Sequence, residues 1–155
     1  MSTAKDKLPS RQRIVEAAVS RFKRQGYQAT SIDDIQEDSG SLRGSLYFHF
    51  RSKEGLALAA LDRCTGEVGA ALDRGLADPG PSPLSKLFEL FGGIGDQVVR
   101  EGFQGGCLRG NFGQELAGSH PRLREHIAQL FEGLIGKVAA FIGLAQERGE
   151  VLPGL

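Results

Sequence analysis

Apolar residues recur along this chain at intervals of three and four, the spacing of one buried helical face, and no segment alternates as a strand would. Ile14, Ala18 and Phe22 predict a first helix over about residues 11–25, with Ser10 as its N-cap and Gly26 as its end. Ile32 and Ile35 predict a second helix that follows Thr30 or Ser31 and stops before Gly40. A third covers roughly residues 42–48, with Leu46 facing inward. Ser52 caps a fourth helix, whose apolar run is Leu58, Leu61, Val68, Leu72 and Leu76. The stretch DPGPSP, residues 78–83, breaks it, and Ser82-Pro83 restarts a helix in the favoured order of cap and then proline. That fifth helix shows the face Leu84, Leu87, Phe88, Phe91, Ile94 and Val98. A glycine-rich joint precedes a short helix from about Cys107 to Ala117. The last runs from Pro121 to about Arg148, before Gly149. Its stripe of Leu123, Ile127, Leu130, Phe131, Leu134, Val138, Phe141 and Ile142 is wide enough to face both a core and a partner. Residues 1–9 read as a loose tail, and the class is all-α.

Composition narrows the reading. Hydrophobic residues make up 40% and charged residues 25% of 155, the balance of a soluble globular chain. No uninterrupted apolar run reaches the ~20 residues that span a bilayer, so no membrane association is expected. The polar start, MSTAKDKLPS, lacks the apolar centre of a secretory signal. Cys64 and Cys107 are too few and too far apart for a disulfide framework, and a reducing cytoplasm is the expected setting. Net charge is zero, but residues 1–53 hold ten Lys or Arg against six Asp or Glu, a net of +4, and the remainder carries −4. A basic head on an acidic body suits a polyanion-binding module followed by a regulatory one. Glycine, at 22 residues, is about twice its usual ~7%. Six glycines fall inside expected helices, Gly92, Gly93, Gly95, Gly133, Gly136 and Gly143; close packing or helix breaks are the expected reason, and room for a ligand or a body soft enough to shift is the alternative.

Residues 30–54, TSIDDIQEDSGSLRGSLYFHFRSKE, place two short helices about a glycine turn, the second rich in basic, hydroxyl and aromatic side chains. That is the layout of a helix-turn-helix, which sets its second helix in the major groove of DNA. Residues 11–56 resemble the N-terminal domain of the TetR family of transcriptional repressors. The resemblance rests on Ile14, Ala17, Ala18, Phe22, Gly26 and Tyr27, then on Thr30, Ser31 and Gly40, and then on Gly44, Ser45, Leu46, Tyr47, His49, Phe50, Ser52, Lys53 and Glu54. It implies DNA binding by residues 1–53, and dimerisation and effector binding by helices of residues 54–155. The implied partners are operator DNA, a small effector that lowers operator affinity, and a second copy held through the C-terminal helices. By position, Arg43, Gly44 and Ser45 lie where family members meet base edges or nearby phosphates. Thr30, Tyr47 and Lys53 match phosphate-contacting positions, and Ser31 and His49 complete the expected DNA-binding set, His49 packing or hydrogen-bonding within the head rather than contacting a base. Family members continue with another long helix that pairs with the preceding one; here only the penultimate helix is evident before Leu155.

The residues support this on their own chemistry. Arg43 can donate two hydrogen bonds to a guanine edge. Gly44 lets backbone approach the duplex, Ser45 and Tyr47 can donate to phosphate oxygens, and Lys53 with the start of the fourth helix forms an anion site. Of Tyr47 and Phe48, one is expected in the core. Leu42 occupies the usual cap position of the third helix, so Ser41 is expected to cap one residue early. Asp33, Asp34, Glu37 and Asp38 crowd the second helix and are expected to point away from DNA, since they repel phosphate.

Cys107, at a helix start beside Arg109, is either a sensor thiol or a small packing residue. Phe88, Phe91, Phe103 and Phe112 are candidates to line an effector pocket. Two other readings remain. A thiol enzyme would pair Cys107 with His120 or His126, but no catalytic motif surrounds them. A degenerate regulator would use its helices as a protein–protein interaction module without binding DNA. Two distant cysteines and three scattered histidines supply no metal site, and no cofactor is expected.

Overall fold

The structure, a computed structural model, describes residues 8–102, 105–116 and 118–152. Within them lie seven helices and no strand: α1 Ser10–Gln25, α2 Ile32–Ser39, α3 Arg43–Phe50, α4 Lys53–Ala77, α5 Pro83–Arg100, α6 Leu108–Leu116 and α7 Pro121–Glu147. The expected loose tail up to residue 7, Phe103 and the helix end at Ala117 lie outside the described residues. By packing, the chain forms two units, one drawn from Met1–Cys64 and Gln104–Ile127, the other from Thr65–Phe103 and Ala128–Leu155. The division falls inside α4, so the boundary expected at residue 53 is not a boundary of packing.

In the first unit, α1 packs against α2, α3 and α6. Its stripe buries Ile14, Val15, Ala17, Ala18 and Phe22 completely or nearly so. Ile35 from α2 and Leu46 and Phe50 from α3 are buried as well, with Ile32 only partly so. Caps set where these helices begin. Ser31 accepts from the Asp34 amide and Asp34 accepts from the Ser31 amide, a reciprocal capping box that satisfies two of the orphan donors of α2. The Asp34 carboxyl is held below its ordinary pKa mainly by the Ser31 backbone and hydroxyl. Gly40, at φ 61° and ψ 26°, ends α2 in the left-handed region that glycine enters without penalty. Ser10 does not cap α1 as expected. Pro9 holds that position, its carbonyl accepting from the Gln12 and Arg13 amides, which frees the Ser10 hydroxyl to meet that of Ser45, 2.8 Å away. Ser52 does cap α4, accepting from the Gly55 amide.

Two contacts fix the α1–α2 turn from α6. The ring of Phe112, fully buried, stands edge-on to Phe22 and Tyr27 at centroid distances of 5.2 and 5.7 Å. The Glu115 carboxylate accepts from the backbone amides of Tyr27 at 2.8 Å and Gln28 at 2.6 Å. Phe112 is therefore core of this unit, not an effector-pocket wall.

In the second unit, Leu72, Leu87 and Phe141 form a buried cluster, with Val68, Leu76, Leu90, Leu134, Val138 and Ile142 against it. Ser82 caps α5 through the Ser85 amide, with Pro83 following it in the helix, as expected. The face expected to be buried on α5 is mostly open. Phe88, Phe91 and Ile94 are exposed, because α5 turns Leu87 and Leu90 to the cluster instead. The helical glycines 92, 93, 95, 133, 136 and 143 face open space and interrupt no helix, so neither close packing nor breakage explains them. By length and composition alone α7 is apolar enough to cross a membrane, which a count of uninterrupted runs missed because Glu132 and Lys137 break the run. Its Leu123, Ile127 and Phe141 are buried against protein.

Gly75 differs from those six. A Cβ there would lie 2.8 Å from the Phe141 ring and 3.1 Å from Leu90. Gly→Ala in an open helix interior stabilises by roughly 0.5–1 kcal/mol, whereas overpacking a core costs about 1–3 kcal/mol. Gly75→Ala is expected to destabilise the chain by about 1–2 kcal/mol and Gly133→Ala to stabilise it slightly, as read from urea unfolding midpoints. Equal stabilisation by both would show that the cluster around Phe141 is not tightly packed.

Candidate nucleic-acid interface

The placement of α3 follows from its two buried residues. Leu46 and Phe50 lie four apart and face inward, with Gly44 and Phe48 on the opposite side and Arg43 and Tyr47 on the flank, all four exposed. Phe48 is 82% exposed and Tyr47 42%, so neither is the core residue expected of that pair. The helix begins after Leu42, which caps nothing with its side chain and is 80% exposed. Ser41 does not cap it either. Its hydroxyl is buried without a hydrogen-bond partner among the described residues, because the backbone enters α3 one residue too late for Ser41 to reach its amides. The helix ends at Arg51, the one non-glycine residue with positive φ among those described, whose amide donates to the Tyr47 carbonyl.

The outward face carries the groups a duplex reads. The Arg43 guanidinium lies 5.9 Å from the Tyr47 ring centroid and 3.3 Å from Asp33. The Tyr47 hydroxyl first, and then Asp33, favour its charged form and raise its pKa above the ordinary value. Gly44 has open space where a side chain would stand. His49 is half-buried, its ring near those of Phe48 and Phe50. Ser45 is half-buried, its hydroxyl engaged with Ser10.

Three other expected residues are occupied within the protein. Thr30 is 1% exposed and its hydroxyl donates to the Gly26 carbonyl at 2.7 Å, so it closes the α1–α2 turn rather than meeting phosphate. Ser31 is exposed, but its side chain caps α2. Lys53 turns back over the Tyr27 ring at 4.4 Å and donates to the Gln28 carbonyl. Burial lowers its pKa, against the pull of Glu115 and Asp34.

The acids of α2 do not all point away. Arg21 grips Asp38 with two hydrogen bonds of 2.5 and 2.9 Å, and Arg24 joins at 3.3 Å. Asp34 serves the cap. Asp33 faces Arg43, because the turn at Gly40 brings the first turns of α2 and α3 together. Sequence reasoning also passed over Leu42, Phe48 and Arg51, all exposed on or beside α3. Apolar side chains there can meet thymine methyl groups, and their exposure shows only once Leu46 and Phe50 are seen to be buried.

Of the effector candidates, Phe91 lines a cavity of about 240 Å³ with Glu67, Val68, Ala71, Leu72, Leu90, Gly93, Ile94 and Gln97, between α4 and α5 of the second unit. Phe88 is exposed beyond it, and Phe103 lies outside the described residues. Cys107 is exposed, not packed, and its carbonyl accepts from the Asn111 amide at the start of α6. His126 pairs with Asp62, and His120 meets Ser119 and the Tyr27 ring.

The helix-turn-helix with an outward α3, followed by a helical body, defines a DNA-binding transcriptional regulator. The family model described as bacterial regulatory proteins of the tetR family matches residues 14–60, and that of the tetracyclin repressor-like C-terminal domain matches residues 83–155. The chain belongs to the TetR family. It is 28% identical over 149 residues to the transcriptional regulator AcuR of Cereibacter sphaeroides, spanning 96% of this chain and 68% of that one. It is also 28% identical over 143 residues to the HTH-type transcriptional repressor DhaR of a Mycobacterium species, spanning 92% and 70%. The crystal structure of regulatory protein TetR from Rhodobacter sphaeroides superposes with a TM-score of 0.87 at 26% identity, over 94% of this chain and 77% of that one. These relatives and this fold are those of regulators rather than enzymes.

Thr30→Val keeps the shape of the side chain and removes the hydroxyl donor. Loss of a buried hydrogen bond costs about 1–2 kcal/mol, so the variant is expected to unfold earlier by that amount while the salt dependence of DNA binding stays as in the wild type. A flatter salt dependence with unchanged stability would return Thr30 to the phosphate-contacting set.

Proposed function

We propose that this chain is a ligand-responsive repressor that docks α3 in the major groove of operator DNA and is released by a small effector sensed in its second unit. The observation that carries the DNA half is the outward face of α3, with Arg43, Gly44, Tyr47 and Phe48 presented over a buried Leu46 and Phe50. On this reading Arg43 donates to guanine O6 and N7, the Tyr47 hydroxyl donates to a phosphate, and Phe48 meets sugar or thymine methyl. Residues 1–53 then form the reading head and residues 54–155 the regulatory body. A second copy is proposed on the apolar surface left open by the C-terminal helices, where α7 exposes Phe131 and Ile135 and α5 exposes Phe88. Two heads match a two-fold operator.

Selection from a randomised duplex library, followed by anisotropy titration, tests the DNA half. Arg43→Ala is expected to weaken the selected site by about 1–3 kcal/mol and to relax preference at one base pair. The wild-type complex is expected to contain two chains of 16.6 kDa each. Unchanged affinity and preference would remove Arg43 from the readout, and no enrichment by the wild type would remove the DNA reading.

The effector half rests on the cavity beside Phe91. Its walls are mostly apolar, with Glu67 and Gln97 as polar groups, and its ~240 Å³ is just below the ~300–1,000 Å³ typical of drug-sized ligands. It therefore suits a small, largely apolar compound with one polar end. A second reading is favoured by the exposure of Cys107 at the start of α6, the helix whose Glu115 holds the α1–α2 turn. Modification there would disturb that hold. The two are separated by screening compounds, thiol reagents included, for release of DNA. Ala71→Phe, which fills the cavity, is expected to abolish release, while Cys107→Ser retains it. The reverse pattern would assign sensing to Cys107, and release that survives both changes would overturn both.

A further inference from the structure

Asp33 lies on the first turn of α2, its Oδ1 3.3 Å from Nη1 of Arg43, and both side chains are well exposed at 70% and 60%. It is not needed for the cap of α2, which Ser31 and Asp34 complete. Nor does it join the α1–α2 bridge, which uses Asp38 with Arg21 and Arg24. A carboxylate on the DNA-facing side repels phosphate on every sequence, so its position is a cost to affinity that needs a return.

The geometry of arginine suggests what the return is. A guanidinium carries five N–H donors in a planar fork. With Nη1 turned to Asp33 and Tyr47 alongside, the fork still carries further N–H donors, two of which guanine O6 and N7 require. Held in this way, Arg43 loses less freedom on binding the right base. Its charge is also partly neutralised, so it gains less from a phosphate in any other pose. The pair is exposed and weak, biasing the rotamer by no more than about five-fold, and so does not lock the side chain.

We infer that Asp33 is a positioning residue that aims Arg43 at guanine and suppresses its use as a phosphate contact, lowering affinity for all DNA while raising selectivity. This rests on the proposed role of Arg43, and the test separates the two. Wild type, Asp33→Asn, Arg43→Ala and the double variant are each titrated against the duplex selected by the wild type, the same duplex with the guanine pair exchanged, and an unrelated duplex, over a range of salt. Asp33→Asn is expected to bind the unrelated duplex several-fold more tightly. Its log K against log salt should steepen by up to about 0.9, the value of one added phosphate contact. Its preference for guanine is expected to fall at least three-fold, within the range a bidentate base contact supplies. Asp33→Glu is expected to restore part of that preference, and Asp33→Asn to add nothing in the Arg43→Ala background. A role confined to helix stability would move the unfolding midpoint and leave both preference and slope unchanged, and that result would overturn the inference. So would unchanged preference in Asp33→Asn alongside its loss in Arg43→Ala, which leaves the Arg43 reading intact. Preference unaffected by Arg43→Ala would remove both.

Discussion

The DNA reading proposed for this molecule depends on the burial of Leu46 and Phe50 beneath α3. Two apolar side chains four residues apart fix the rotation of an eight-residue helix, and that rotation decides which side chains solvent, or a duplex, meets. An isolated helix this short is unstable in water. It exists because α1 and α2 supply the surface on which those side chains are buried. Fully burying side chains of this size is worth roughly 1.5–3 kcal/mol each, far more than the weak exposed pair between Arg43 and Asp33. The core therefore sets the orientation of the reading face, and the polar contacts only refine it.

The second constraint is the α1–α2 turn. Its amides are held by Glu115, its aromatic ring by Phe112 and its carbonyl by Thr30, while Lys53 at the start of α4 closes over it. This cluster joins three stretches of chain far apart in sequence, and it explains why residues with family phosphate-contacting positions, Thr30 and Lys53, are spent on holding the head together. Charge-assisted bonds to backbone amides are among the stronger hydrogen bonds. The turn thus ties α6 to α1 and α2.

Much of this was legible in the sequence. The all-α class, the order of seven helices and the inward Leu46 followed from apolar spacing, because local periodicity encodes which side of a helix is buried, whereas Phe50 lay beyond the expected end of α3 at residue 48. The Ser52 and Ser82 caps were legible because a cap is a local event. What escaped were contacts made by the turn or across long separations. Asp33 was expected to avoid the DNA face, since nothing in a linear sequence shows that the Gly40 turn sets it against Arg43. Glu115 gave no signal, as its amide partners lie more than eighty residues earlier. Phe48 was weighed as core because aromatic residues usually are, and only the burial of Leu46 and Phe50 shows that no inward position was left for it. The glycines of α5 and α7 face open space, and the structure offers no physical account of their number.

The central claim is that α3 lies in the major groove with the Arg43 guanidinium on a guanine edge. Methylation interference tests this most directly, because a methyl group on guanine N7 removes the acceptor and fills the space a guanidinium would occupy. The account predicts that methylating one guanine in each half of the selected site blocks binding by the wild type, while Arg43→Ala is indifferent to it. Wild-type binding that tolerates N7 methylation at every guanine of the site would contradict the account.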